Sequence, residues 1–142
     1  MGQPGQAPLG IDRGLRERLE ALGQEFLAEI LSRETERHPE NLGALKDLAH
    51  VLTHLGRLEE GLAVDLRLVR LAPQDPTVHY NLACSLALLG RKGEALDALE
   101  SAALHGYDDV EHLLGDDDLF ELRTEPRFMA LARRLARAGG LA

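Results

Sequence analysis

The chain copies itself at a step of 34 residues. When residues 42–75 are laid over residues 76–109, Leu48 and Ala49 fall on Leu82 and Ala83, Leu52 on Leu86, and Leu55 and Gly56 on Leu89 and Gly90. Glu60 falls on Glu94, Leu62 on Leu96 and Leu68 on Ala102, and Pro39 precedes Pro73 by the same step. A period of this length marks a unit that cannot hide its apolar face alone and buries it by stacking on its neighbours.

The matching places say what the unit is. Leu45, Leu48, Leu52 and Leu55 recur at helical spacing and predict a helix with one apolar stripe. Ala49 and Ala83 are small where the two helices of a hairpin must approach, and Gly61 and Ala95 offer the same small contact from the second helix. A larger side chain there would wedge the pair apart. Gly56 and Gly90 are suited to the left-handed backbone that ends a helix at low steric cost. Pro73 ends the second helix, and Asp75 followed by Pro76 supplies an N-cap and a preset first turn for the next one. Composition agrees: the hydrophobic share of 44% is mainly Leu and Ala, and Trp is absent. Such residues lose little freedom in a helix.

In unit length, small contacts and terminators together, residues 42–109 resemble the tetratricopeptide repeat (TPR) family. Val78-His79-Tyr80-Asn81-Leu82-Ala83 is similar to the family's first helix. The resemblance implies an all-α fold, an α-α superhelix or TPR solenoid, with two full helical hairpins over 42–75 and 76–109. Upstream, Leu15, Leu19, Leu22, Phe26 and Ile30 predict a helix within 12–38, read as an N-terminal cap over the apolar edge of the first repeat. Downstream, Tyr107 stands where a proline is expected. The segment Asp116 to Phe128 is similar to the ending that closes many bacterial proteins of the family, which implies a degenerate third unit and a C-terminal capping helix within 110–138. Residues 1–11 read as a flexible tail, and 12–142 as one domain.

The resemblance places a partner, a peptide or a segment of another protein, in the concave groove lined by the first helices. The groove positions it implies are Lys46, His50, Thr53, His54, Thr77, Tyr80, Asn81, Cys84 and Leu88, all off the leucine stripe. A clamp for a C-terminal carboxylate is incomplete, because His50 stands where an asparagine is usual and Glu111 and Gly115 where Lys and Arg are needed. His50 and His54 lie four apart and could offer two metal ligands, with Cys84 at the corresponding place of the next hairpin. Mid-helix, Cys84 lacks the cationic surroundings that would make it a nucleophile and reads as a small hydrophobe. The acids of 108–118 lack the alternating oxygen pattern of a calcium loop and read as helix caps. Arg127, Arg133, Arg134 and Arg137 opposite Phe128, Leu131 and Leu135 describe an ordinary amphipathic cap.

The formal charge of −8 opposes nucleic acid and acidic membrane surfaces, whose affinity depends on Lys and Arg. One cysteine makes no internal disulfide and fits a reducing, cytoplasmic setting. No run of about 18 apolar residues predicts a membrane span. Nucleotide-binding, hydrolase and zinc-finger motifs are missing. The expectation is therefore a non-enzymatic adaptor, scaffold or co-chaperone without cofactors. It is a monomer, or a homodimer paired through the N-terminal stripe. The alternatives are a dedicated small acidic chaperone for one partner and a metal- or small-ligand-binding protein using His50, His54 and Cys84.

Overall fold

A computed structural model describes residues 12–140, so the expected tail of residues 1–11 lies outside the described residues. These are all-helical, with no strand among them: α1 (Arg13–Arg37), α2 (Leu42–His54), α3 (Leu58–Leu71), α4 (Pro76–Leu88), α5 (Lys92–Leu104), α6 (Val110–Gly115), a 3₁₀ helix (Asp117–Leu122) and α7 (Pro126–Ala138). None is long and apolar enough to cross a membrane.

The 34-residue step is written into the backbone, since α2 and α4 begin one step apart, as do α3 and α5. The α2 helix opens on Asn41, whose Oδ1 accepts from Ala44 N at 3.1 Å, and α4 opens on Asp75, whose Oδ1 accepts from Thr77 N at 2.9 Å. Each ends in the same double closure. Arg57 N donates to Leu52 O and Gly56 N to Thr53 O, while Arg91 N donates to Leu86 O and Gly90 N to Ala87 O. That pattern needs a left-handed residue, and Gly56 and Gly90 supply it at φ 74° and 75°.

Packing runs from each helix to the next: α1 on α2, α2 on α3, α3 on α4 and α4 on α5. At Gly61 an added Cβ would stand 3.1 Å from Thr53 Oγ1 and 3.7 Å from Ala49 O, so the absent side chain lets α3 approach α2. Ala83 and Ala95, both fully buried, mark the equivalent approach of α4 and α5. Leu45, Leu48, Leu52 and Leu68 build one buried cluster, and a larger one around Leu99, Leu113 and Leu119 runs through to Phe128 and Leu131 of α7. The basic side of α7 is tied to α5 through Arg127–Asp97 at 2.9 Å and Arg134–Glu100.

The N-terminal helix packs on α2 through a different face from the row that the sequence singles out. Ala28, Leu31 and Thr35 pack inward, but Leu15, Leu19, Leu22, Phe26 and Ile30 all remain exposed. The reason is the face they occupy. Ala28, Leu31 and Thr35 lie on the side turned to α2, and at about 100° per residue Leu15, Leu19, Leu22, Phe26 and Ile30 fall on the opposite side. At about 1.5 Å per residue α1, at roughly 37 Å, also outruns α2, at roughly 20 Å, and every described residue from Asp12 to Gly23 is exposed.

Candidate functional site

Equivalent positions of α2 and α4 open onto one space. Lys46, His50 and Thr53 on α2 and Tyr80, Asn81 and Cys84 on α4 line one cavity of about 150 Å³. The chain beyond the second hairpin closes it with His112, Asp116 and Asp118, and Asp65 and Ser85 line its inner side.

Hydrogen bonds fix most of these groups. Lys46 Nζ bonds Asp75 Oδ2 at 3.1 Å, linking the first hairpin to the cap of the second. Thr53 Oγ1 donates to Ala49 O at 2.9 Å. Tyr80 donates its hydroxyl to Asp116 Oδ2 at 2.7 Å, and its ring stacks on Tyr107 at 4.5 Å and lies 5.3 Å from His112. Cys84 Sγ stands 3.7 Å from the same carboxylate oxygen. The other oxygen of Asp116 accepts from Asp118 N at 3.0 Å, capping the 3₁₀ helix.

The expected site residues do not all meet. Tyr80 was expected to face solvent but is only 4% exposed, because Tyr107 covers its ring. Cys84 is buried too, as its reading as a small hydrophobe implies. Thr77, His54 and Leu88 are exposed and do not line this cavity. His54 lines a different hollow with Leu27, Leu31 and Val51, between α1 and α2. The imagined His50, His54 and Cys84 set is thereby divided between two places, His50 alone opening on both.

Asp65 is the residue that sequence reasoning missed. It is 2% exposed, accepts a hydrogen bond from the Ser85 hydroxyl on Oδ2, and leaves Oδ1 with no hydrogen-bond partner among the described residues. Burial pushes its carboxyl up to about 6, a rise that the Ser85 bond only partly offsets. A signal was present. One repeat later the matching position is Leu99, and Ser85 matches Val51 one repeat earlier, so a polar pair has replaced two apolar residues. The hairpin can form with leucine there, so its fold does not demand the acid.

Negative charge dominates the electrostatics. Asp118 is raised by burial and then by repulsion from Asp116 and Asp117, against a smaller pull from His50. Burial, followed by the Asp116 charge, holds the Cys84 thiol well above its usual range. Burial and the bond to Asp116 do the same to Tyr80. Asp75 goes the other way: burial would raise it, but the Lys46 bond and the Thr77 N–H bring it below the usual carboxylate range. One oxygen or sulfur each from Cys84, Asp116 and Asp118 lies within 4.8 Å of the others, a set that contains no histidine.

No protein-family model matches the chain, and no curated protein matches it.

Proposed function

We propose that the protein is a TPR-type helical repeat that holds a peptide or protein segment along the wall formed by α2 and α4, as a non-enzymatic adaptor. The observation that carries this reading is the shared cavity: side chains from equivalent helices of two successive repeats open onto one space. Around it Asn81 and Thr53 offer polar atoms, and an amide such as that of Asn81 can give to and accept from a peptide backbone at once. The raised Cys84 thiol supports binding over covalent catalysis, because the thiolate is the nucleophile. The buried free cysteine also favours a reducing, cytoplasmic setting.

The test is capture of partners from lysate by the wild type and by a Thr53→Ala, Asn81→Ala double variant whose helicity is checked by circular dichroism. Reduced capture by the folded variant supports the groove. Equal capture of the same partners by both forms would overturn it.

A further inference from the structure

The cavity is charged for a particular guest. We propose that it admits the cationic side chain of an arginine or lysine carried by the bound polypeptide, held between Asp65 on one side and Asp116 and Asp118 on the other. This rests on the reading of the α2–α4 wall as a peptide site and adds to it the chemistry of the residue recognised.

Three observations converge. The first is the unpartnered oxygen: Asp65 is almost wholly buried, lines the cavity, and has Oδ1 unbonded among the described residues. A buried acceptor without a donor is costly, and a guanidinium or ammonium group supplies donors and opposite charge together. The second is the imbalance of charge. Three carboxylates line the space, while Lys46, the one Lys or Arg among the lining residues, bonds to Asp75, which is not part of the lining. The third is substitution within the repeat. Asp65 stands where the second hairpin has Leu99, and Ser85 where the first has Val51, so the repeat's own packing does not require this polar pair.

A metal ion is the competing guest, and the geometry favours it less. The mutually close set stops at Cys84, Asp116 and Asp118 and does not include Asp65. Its thiol is held protonated by burial and neighbouring negative charge, and Tyr80 already occupies one Asp116 oxygen. A cavity of about 150 Å³ offers room for an organic head group with acids around it.

The full chain, ¹⁵N-labelled, would be titrated with Nα-acetyl-arginine N-methylamide, its lysine counterpart and the neutral citrulline counterpart, and separately with zinc chloride. The expected result is saturable shifts of the Asp65, Ser85, Cys84 and Asp118 amides with arginine or lysine, and affinity about tenfold weaker for citrulline. Asp118→Asn, at a half-exposed position where folding is not at stake, should weaken the cationic ligands and leave citrulline unchanged. Equal affinity for citrulline and arginine, or no saturation by either cation at the solubility limit, overturns the proposal. So does zinc binding that shifts these amides and is lost in Cys84→Ser when the cations do not bind. A peptide Ala-Ala-Arg-Ala-Ala and its citrulline analogue separate the two layers of the argument. If both perturb Thr77 and Leu88, wall residues outside the cavity, alike, the groove stands and the cation pocket fails. If the arginine peptide shifts Asp65 and Asp118 but leaves Thr77 and Leu88 untouched, the pocket stands and the groove fails.

Discussion

The first and last helices of the described residues each carry a row of apolar side chains at helical spacing, and the two rows fare differently in the structure. On α7, Phe128 is 1% and Leu131 2% exposed, whereas on α1 Leu22 is 66% and Phe26 65% exposed. The α7 stripe closes a cluster of twenty buried residues that runs from Leu62 to Leu135, while α1 adds only Ala28 to a cluster of nine. The difference teaches that a row of apolar residues at helical spacing does not by itself choose the packed face: α7 buries its row, whereas α1 turns Ala28, Leu31 and Thr35 inward and leaves its row outside.

The sharpest way to break this comparison is to remove one aromatic ring from each end. Phe128→Ala should cost about 3–5 kcal/mol in urea unfolding, the usual cost of emptying a packed aromatic site. Phe26→Ala should stay within about 0.5 kcal/mol, as for exposed positions generally. A comparable loss at Phe26 would mean that the α1 stripe has a partner in solution.

The second prediction concerns the acid buried in the first hairpin where the second has leucine. Asp65 has a folded value of about 6 against an ordinary value of 3.8. Its stabilising contribution is therefore full below about pH 4 and is lost as pH rises through about 6. Asp65→Asn should gain roughly 1–3 kcal/mol at pH 7. Thermal unfolding across pH 4–8 should show that gain shrinking toward the acid end. A gain that does not change with pH would remove ionisation as its cause.

A smaller effect should be equal in the two hairpins. Gly56→Ala and Gly90→Ala each force a side chain into φ near 75° and should cost about 1–2 kcal/mol. A much smaller cost at Gly56 would show that the N-terminal hairpin opens before the rest, which hydrogen exchange of α2 and α3 against α4 and α5 would confirm. The smallest effect is expected of Leu22→Glu with Phe26→Glu. Unfolding at micromolar concentration should shift by under about 0.5 kcal/mol. Sedimentation of the wild type at rising concentration tells whether a second copy occupies the stripe: a dimer that this double variant abolishes would show that it does.

Much of the fold was legible because its signals are local. Gly56, Gly90, Asp75 and Pro76 act within a few residues of themselves, and the backbone uses them as their positions imply. The exposure of the α1 row was not legible, since α1 packs through Ala28, Leu31 and Thr35 on its other side, a choice that spacing alone does not make. For the site, Lys46, His50, Thr53, Asn81 and Cys84 were legible as members of one wall. Asp65 was hidden because a lone acid on the second helix of a hairpin carries no local signal, and only comparison with Leu99 one repeat later exposes it. Asp116 was read as a cap, which it is, but its second oxygen reaches Tyr80 across 36 positions of sequence, a contact no local pattern announces.

That divided carboxylate works as a mechanical strut. With one oxygen it shapes the start of the segment leading to the closing helix, and with the other it grips a phenol in the wall of the hollow. Losing that one side chain would therefore release the phenol and the start of the 3₁₀ helix together, so the wall of the hollow and the approach to α7 share a single fastening.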